Sequence, residues 1–92
     1  MEITYDPTKN QANIAQRGLD FDQVNDLDWN QIWMFEDSRK DYGEIRYIAY
    51  APMDDRLHAF CFTRTKLGIR VISFRKANNR EVKHYEQRTN DR

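Results

Sequence analysis

The pattern of polar and apolar residues predicts that the chain begins with a short strand followed by a helix. Residues 3–5 form the strand candidate. Asp6 and Pro7 come next, and they predict a helix start because aspartate accepts hydrogen bonds from free backbone amides and proline suits the first helical position. Gly18 predicts the end of this helix, since glycine tolerates the left-handed backbone found just beyond a helix.

A second helix is predicted from Asp20. Asp20 and Gln23 have the spacing of a capping box, in which each side chain bonds the other residue's backbone amide. Apolar side chains then recur every three residues, at Phe21, Val24 and Leu27, and give the segment one apolar face.

The rest of the chain reads as strands followed by a last helix. The predicted strands cover residues 31–35, 45–51, 57–64 and 69–75, and turns at 52–55 and 66–68 join the last three into an antiparallel meander. Asn78 is predicted to cap a helix that runs to about Gln87. The fold class is therefore α+β, with helices expected on one face of the sheet.

Length and composition indicate one small domain over residues 1–92. No apolar stretch is long enough to cross a membrane, and the first residues lack the features of a signal peptide. Cys61 is the single cysteine, so no internal disulfide forms and a reducing cytoplasm is the expected location. Its neighbours Phe60 and Phe62 favour a buried structural role over a nucleophilic one.

Charge is unevenly spread although the formal net charge is zero. Residues 1–44 carry ten acidic and four basic side chains, and residues 45–92 carry five acidic and eleven basic ones. A basic half favours an anionic partner such as a nucleic acid, although a dipolar, solubilising surface accounts for the pattern equally well.

Most catalytic signatures are missing from the sequence. The three glycines lie far apart, so no phosphate-binding loop is present, and one cysteine with two histidines cannot build a zinc site. The acidic pairs at 36–37 and 54–55 are expected to be solvated turn residues. No metal site and no cofactor are predicted.

Arginines at strand ends are the candidate functional residues. Arg46, Arg64 and Arg70 form one cluster if they share a face of the meander, and alternation places Arg70 with Ile72 and Phe74. An arginine among apolar residues needs an anion or a carboxylate partner. If no anion is bound, Glu44 or Glu81 is the carboxylate expected to pair with these arginines in an ordinary ion-pair network.

The last helix adds candidate groups for proton transfer. Glu81 and Tyr85 lie four residues apart and therefore share a helix face. Glu81 also has capping-box spacing from Asn78, which is a purely structural explanation. Together with arginines, such groups suit RNA cleavage by the RNA's own 2′-hydroxyl, which needs no metal and no protein nucleophile. Trp29 and Tyr42 are candidates for stacking on unpaired bases.

The ordered set of short motifs resembles the BrnT family of toxins across residues 3–86. The motifs are Tyr5-Asp6-Pro7-x-Lys9-Asn10-x-x-Asn13, Gly18-Leu19-x-Phe21, Asp41-Tyr42-Gly43-Glu44-x-Arg46, a loose match at Phe62-Thr63-Arg64, Ile69-Arg70-Val71-Ile72-Ser73-x-Arg75-x-Ala77 and Arg80-Glu81-x-x-x-Tyr85-Glu86. The resemblance implies a RelE-like fold, ribonuclease activity that arrests translation, and neutralisation by a BrnA-type antitoxin that carries the DNA-binding domain. DNA contact would then be indirect, within a toxin–antitoxin hetero-oligomer.

By motif position, the family's functional residues fall on seven sites, namely Lys9, Arg64, Arg70, Arg75, Arg80, Glu81 and Tyr85. Arg64 and Arg70 are expected to hold the phosphate, with Glu81 or Lys9 as the base. Two positions depart from the family pattern. Arg17 stands where relatives have histidine, and Phe74 stands where they have a small residue, which is expected to narrow the site. These departures favour the alternative function, a non-catalytic co-repressor or RNA-binding module.

Overall fold

The computed structural model describes residues 1–90 as a five-stranded sheet with helices on both faces. The elements are β1 (Glu2–Thr4), α1 (Pro7–Arg17), two 3₁₀ helices (Phe21–Asp26 and Trp29–Gln31), β2 (Trp33–Glu36), β3 (Tyr47–Met53), β4 (Arg56–Arg64), β5 (Gly68–Lys76) and α2 (Asn79–Asn90). The strand order is β1-β5-β4-β3-β2. Strands β3 to β5 form the predicted antiparallel meander, β2 adds to it antiparallel to β3, and β1 pairs with β5 in parallel. The α+β fold class is confirmed.

Helix α1 begins and ends where the sequence predicts. The carboxylate of Asp6 accepts hydrogen bonds from the amides of Thr8 and Lys9 at 2.9 and 3.4 Å. Gly18 follows the helix with a φ of 68°, which is left-handed backbone that glycine adopts without steric cost. None of the helices in residues 1–90 has the length and apolar character that a bilayer-crossing helix needs.

The predicted second helix is present as a 3₁₀ helix over Phe21–Asp26. The capping box between Asp20 and Gln23 is present as predicted. The apolar side chains, however, recur every three residues, and a 3₁₀ helix has three residues per turn. Phe21, Val24 and Leu27 are accordingly buried in the core. The predicted helix and its apolar face are both confirmed.

The two faces of the sheet carry separate apolar clusters, so the expectation that helices cover only one face is wrong. On one side, which we call the core face, Phe60, Phe62 and Phe74 pack with the side chains of the longer 3₁₀ helix. On the other side, which we call the α2 face, Tyr50 packs with Tyr85 of α2. Successive side chains of a strand point to opposite faces of the sheet, and in β3 and β4 the side chains on both faces are mostly apolar. Each face therefore needs a covering element.

A β-bulge in β5 changes which arginines share a face. Phe62 pairs with Val71 and Cys61 pairs with Ser73, so Ile72 has no partner in β4. The extra residue reverses the alternation that follows it. Arg70 therefore lies on the α2 face with Ser73 and Arg75, and the prediction that it shares a face with Ile72 and Phe74 is wrong.

Candidate functional site

Glu81 is the centre of a hydrogen-bond network on the α2 face. Arg75 pairs with it through two parallel bonds, Nη1 to Oε1 at 2.7 Å and Nη2 to Oε2 at 2.9 Å. The Tyr50 hydroxyl donates to Oε2 at 2.8 Å, and the Asn78 amide donates to Oε1 at 2.9 Å. The Glu81 amide in turn donates to the Asn78 side chain, which completes the predicted capping box at the start of α2.

This network fixes the ionisation of its members. The hydrogen bonds from Arg75 are the largest cause that lowers the pKa of Glu81, which falls to about 2. Burial, followed by the hydrogen bond to Glu81, raises the pKa of Tyr50 to about 12. At neutral pH Glu81 is thus a carboxylate whose two oxygens already accept four hydrogen bonds. Such a group is a weak proton acceptor and a strong anchor for a guanidinium.

A small polar pocket lies beside this network on the α2 face. Its volume is about 120 Å³, and its lining residues include Arg75, Arg39, Ser73 and Cys61. Burial raises the pKa of the Cys61 thiol, which keeps it protonated and unreactive at neutral pH. The pocket therefore presents guanidinium and hydroxyl groups, beside the carboxylate of Glu81 that Arg75 binds, rather than a protein nucleophile.

A wider groove of about 350 Å³ lies between α1 and β5. Lys9, Arg17 and Arg75 contribute its cationic groups, and Ser73 and Arg75 line both this groove and the small pocket. Within residues 1–90, Lys9 and Arg17 form no ion pair. Three cations on one groove, two of them without a carboxylate partner in residues 1–90, suit this groove to an anion.

Asn13 holds α1 against β5 at this groove. Its Nδ2 donates to the backbone oxygens of Leu19 and Phe74, at 2.9 and 3.0 Å. Phe74 also lines the groove, while its ring is buried in the core beside His58.

Asp37 and Arg39 are a pair that the sequence prediction missed. Asp37, expected to be a solvated turn residue, has a side chain that is only 1% exposed. Arg39 donates to it through Nε and Nη2, both at 2.8 Å, and the Tyr42 hydroxyl donates to it at 2.9 Å. An aspartate side chain often accepts from the backbone amide two residues on, as Asp37 does from Arg39, so the turn is predictable from the sequence, whereas the burial and the ion pair are not.

Only two members of the expected cluster of Arg46, Arg64 and Arg70 come together. Arg46 and Arg70 both pair with Glu44, at 2.9 Å in each case, which is the ordinary ion-pair alternative. Arg64 lies over the ring of Tyr47, with its guanidinium carbon 4.9 Å from the ring centre. Neither cavity that Arg75 lines includes Arg64 or Arg70.

The remaining candidates are dispersed. Arg80 is exposed on the first turn of α2. Tyr85 is buried in the packing of α2, where its hydroxyl donates to the backbone oxygen of Gln31. Trp29 is half-buried, donates to the Val24 oxygen and packs on Phe60, which favours a role in the core over the predicted stacking on bases.

Tyr42, the other candidate for base stacking, is itself covered by a cation. The guanidinium carbon of Arg46 lies 4.3 Å from the centre of its ring. No three His, Cys, Asp or Glu side chains of residues 1–90 are grouped so that they could hold a metal ion.

The fold and the site define a small α+β domain that offers lysine and arginine groups to an anion across one groove. A family model described as a ribonuclease toxin, BrnT, of type II toxin–antitoxin systems matches residues 5–81. The chain therefore belongs to the BrnT family, as the sequence motifs indicated. A comparison with curated proteins gives no match.

Proposed function

We propose that this toxin is a metal-independent endoribonuclease whose reacting site is the groove between α1 and β5. The single observation that carries the proposal is the convergence of Lys9, Arg17 and Arg75 on one groove, with Lys9 and Arg17 lacking carboxylate partners in residues 1–90. A phosphodiester entering the groove supplies the missing anion. Guanidinium groups suit this task, because their planar donors match phosphate oxygens.

The proposed reaction uses the hydroxyl of the substrate. Solvent water takes the proton of the RNA 2′-hydroxyl, the 2′-oxygen attacks the adjacent phosphorus, and the bond to the 5′-oxygen breaks as Lys9 protonates that leaving oxygen. The products are a 2′,3′-cyclic phosphate and a 5′-hydroxyl, and solvent returns a proton to Lys9. Arg75 and Arg17 stabilise the charge that develops on the phosphate. Lys9 is the proposed proton-transfer group at the reacting atoms, since the oxygens of Glu81 are already occupied.

The other predicted residues take supporting roles in this proposal. Glu81 positions Arg75 and so fixes the phosphate-binding fork. Arg64, Arg70 and Arg80 contact the RNA backbone outside the groove, and Tyr85 holds α2 on the sheet. We further propose that cleavage arrests translation in the cytoplasm, and that a BrnA-type antitoxin silences the toxin in a hetero-oligomer that contacts DNA only through the antitoxin.

A cleavage assay with a matched pair of lysine variants tests the proposal. Purified protein is incubated with single-stranded RNA in excess EDTA, and Lys9→Met is compared with Lys66→Met, which removes a lysine from the turn between β4 and β5. We expect cleavage by the wild type and by Lys66→Met, and a turnover number at least ~100-fold lower for Lys9→Met, the usual scale for a lost proton-transfer group. Loss of wild-type activity in EDTA, or full activity of Lys9→Met, would contradict the proposal.

A non-catalytic binding module is the second candidate function. It is favoured by the saturated hydrogen bonding of Glu81, which leaves this carboxylate no free oxygen with which to accept a proton. The same assay separates the two functions, because a binding module retains RNA on a gel while leaving it intact.

A further inference from the structure

Arg39 is held in place by a buried carboxylate although its own side chain is 73% exposed. Asp37 accepts from the Nε and Nη2 atoms of Arg39, and also from the Arg39 amide at 3.2 Å. The Tyr42 hydroxyl occupies Oδ2 as well. These bonds hold the pKa of Asp37 well below its usual range, with the Arg39 side chain as the largest cause.

An exposed arginine normally samples many conformations, and ordering it is costly. Here one edge of the guanidinium is bound to Asp37, which fixes the orientation of the group. The Nη1 atom has no bonding partner among the described residues, so one donor edge remains open. The structure thus presents a pre-oriented cation at the surface.

Arg39 lines the small pocket on the α2 face together with Arg75 and Ser73. The like charges of Arg39 and Arg75 are close enough for Arg39 to lower the pKa of Arg75 in part, against the larger upward effect of Glu81. Each guanidinium bonds its carboxylate through two nitrogens, and Arg75 also donates to the Lys76 oxygen at 3.4 Å. Both arginines and Ser73 border the same space. Because Ser73 and Arg75 also line the α1–β5 groove, the pocket and the groove share one wall.

We propose that the pocket is a second phosphate subsite of the RNA-binding surface, in which Arg39 binds a backbone phosphate next to the one in the groove and Asp37 positions Arg39. This inference rests on the proposed ribonuclease function and extends it. RNA then crosses β5 at Ser73 and Arg75, with consecutive phosphates on either side. Arg39 contributes mainly to substrate binding, and Lys9 and Arg75 to the reaction.

Two neighbouring cations provide the matched test. Arg39→Gln and Lys40→Gln each remove one positive charge from the same loop, but Lys40 does not line the pocket. We expect Arg39→Gln to raise KM at least tenfold with kcat within about threefold of the wild type, and Lys40→Gln to leave both nearly unchanged. If the two substitutions had equal effects, Arg39 would act only through its positive charge and not through the pocket, and the proposal would be overturned.

The salt dependence of RNA-backbone binding is a second measurement, and it would not change if Arg39 had only a structural role. Binding of a single-stranded oligonucleotide with 2′-deoxy sugars is measured, because it lacks the attacking hydroxyl and stays intact. Loss of one phosphate contact should reduce the slope of log affinity against log salt by ~0.7. An unchanged slope for Arg39→Gln would contradict the subsite.

The positioning role of Asp37 is tested by combining substitutions. We expect Asp37→Asn to raise KM, and the double variant with Arg39→Gln to be no worse than Arg39→Gln alone, since both changes remove one contact. Additive effects would overturn the role of Asp37. If Arg39→Gln does not fold, Arg39→Lys keeps the charge beside Asp37 but loses the planar fork, and the same rise in KM is expected.

Failure of the subsite and failure of the proposed function are distinguishable. If wild-type protein does not cleave RNA, the ribonuclease proposal fails, and the 2′-deoxy oligonucleotide still measures phosphate binding at Arg39. If the wild type cleaves RNA and Arg39→Gln matches it in both KM and salt slope, only the subsite is overturned.

Discussion

At the scale of single residues, the charged side chains divide into those with a carboxylate partner and those without one. Glu44 pairs with Arg46 and Arg70, Glu81 with Arg75, and Asp37 with Arg39. A residue's type alone does not reveal this division. Arginines at 64, 70 and 75 are alike in sequence, yet only Arg75 lies in the groove with the free cations of α1.

Glu81 should make the stability of the protein depend on pH. Its pKa is about 2 in the folded protein and near 4.5 when unpaired, so its contribution is fully present above pH 4.5 and is lost as the pH falls towards 2. Glu81→Gln should lower the free energy of unfolding by ~1–2 kcal/mol at pH 7, allowing for solvent screening of a partly exposed pair. Urea unfolding at pH 7, 4 and 2.5 should show the gap between variant and wild type narrowing. A gap that stays constant with pH would exclude this role.

Arg64 is expected to contribute to RNA binding rather than to the reaction. Its side chain is exposed, and its contact with Tyr47 is worth ~0.5–1 kcal/mol at such a site, so Arg64→Ala should fold. We expect a higher KM for RNA cleavage and a turnover number within a few-fold of the wild type. A collapse of the turnover number in a folded variant would place Arg64 in the reacting site instead.

At the scale of elements, the groove depends on how α1 is attached to β5. Helix α1 buries only Asn10 fully, so apolar packing alone holds it weakly. Hydrogen bonds of two asparagines hold the helix in place instead. Asn10 bonds the Asp20 side chain and the Phe21 amide, and Asn13 bonds the Leu19 and Phe74 oxygens. The position of Lys9 and Arg17 relative to Arg75 follows from these amide side chains.

Asn13→Ala should therefore weaken activity and stability together. Removing its two hydrogen bonds should lower the free energy of unfolding by ~1–3 kcal/mol, since two backbone oxygens lose their donor. RNA cleavage should fall because α1 no longer holds its cations at the groove. Gln11→Ala, on the exposed side of the same helix, is the control and should change neither quantity. Wild-type cleavage by a destabilised Asn13→Ala would show that the groove does not need this attachment.

The elements also explain where prediction from sequence works and where it stops. Asp6, Gly18 and Asn78 mark helix ends correctly because caps are local hydrogen-bond events. The bulge at Ile72 has no local signature, and it decides which face Arg70 occupies. The burial of Asp37 likewise depends on a partner and on β3 packing that the sequence order does not reveal.

At the scale of the whole molecule, the acidic and basic halves of the chain interleave in space. The groove combines Lys9 and Arg17 from the acidic half with Arg75 from the basic half. Glu44 of the acidic half neutralises Arg46 and Arg70 of the basic half. The uneven charge along the sequence thus marks ion pairs within the fold as well as a surface for an anion.

Residues 1–92 are expected to unfold as one domain. Trp29 packs on the core face and Trp33 stacks on Tyr50 of the α2 face, so each reports on a different side of the sheet. The variants Trp33→Phe and Trp29→Phe each leave one fluorescent probe. Within either variant, the urea midpoint from fluorescence should match that from far-UV circular dichroism. Separate transitions within one variant would indicate two units that unfold independently.

The outer margin of β2 carries unpaired backbone groups over four residues, since this strand ends the sheet order within residues 1–90. The opposite margin ends in β1, three residues long, and the oxygen of Phe74 beyond it is already taken by Asn13. A fibre built by strand addition requires two receptive margins on every chain, so that growth continues after the first pairing. The two margins are unequal within residues 1–90, so pairing between copies of the chain is expected at β2 before it occurs at β1.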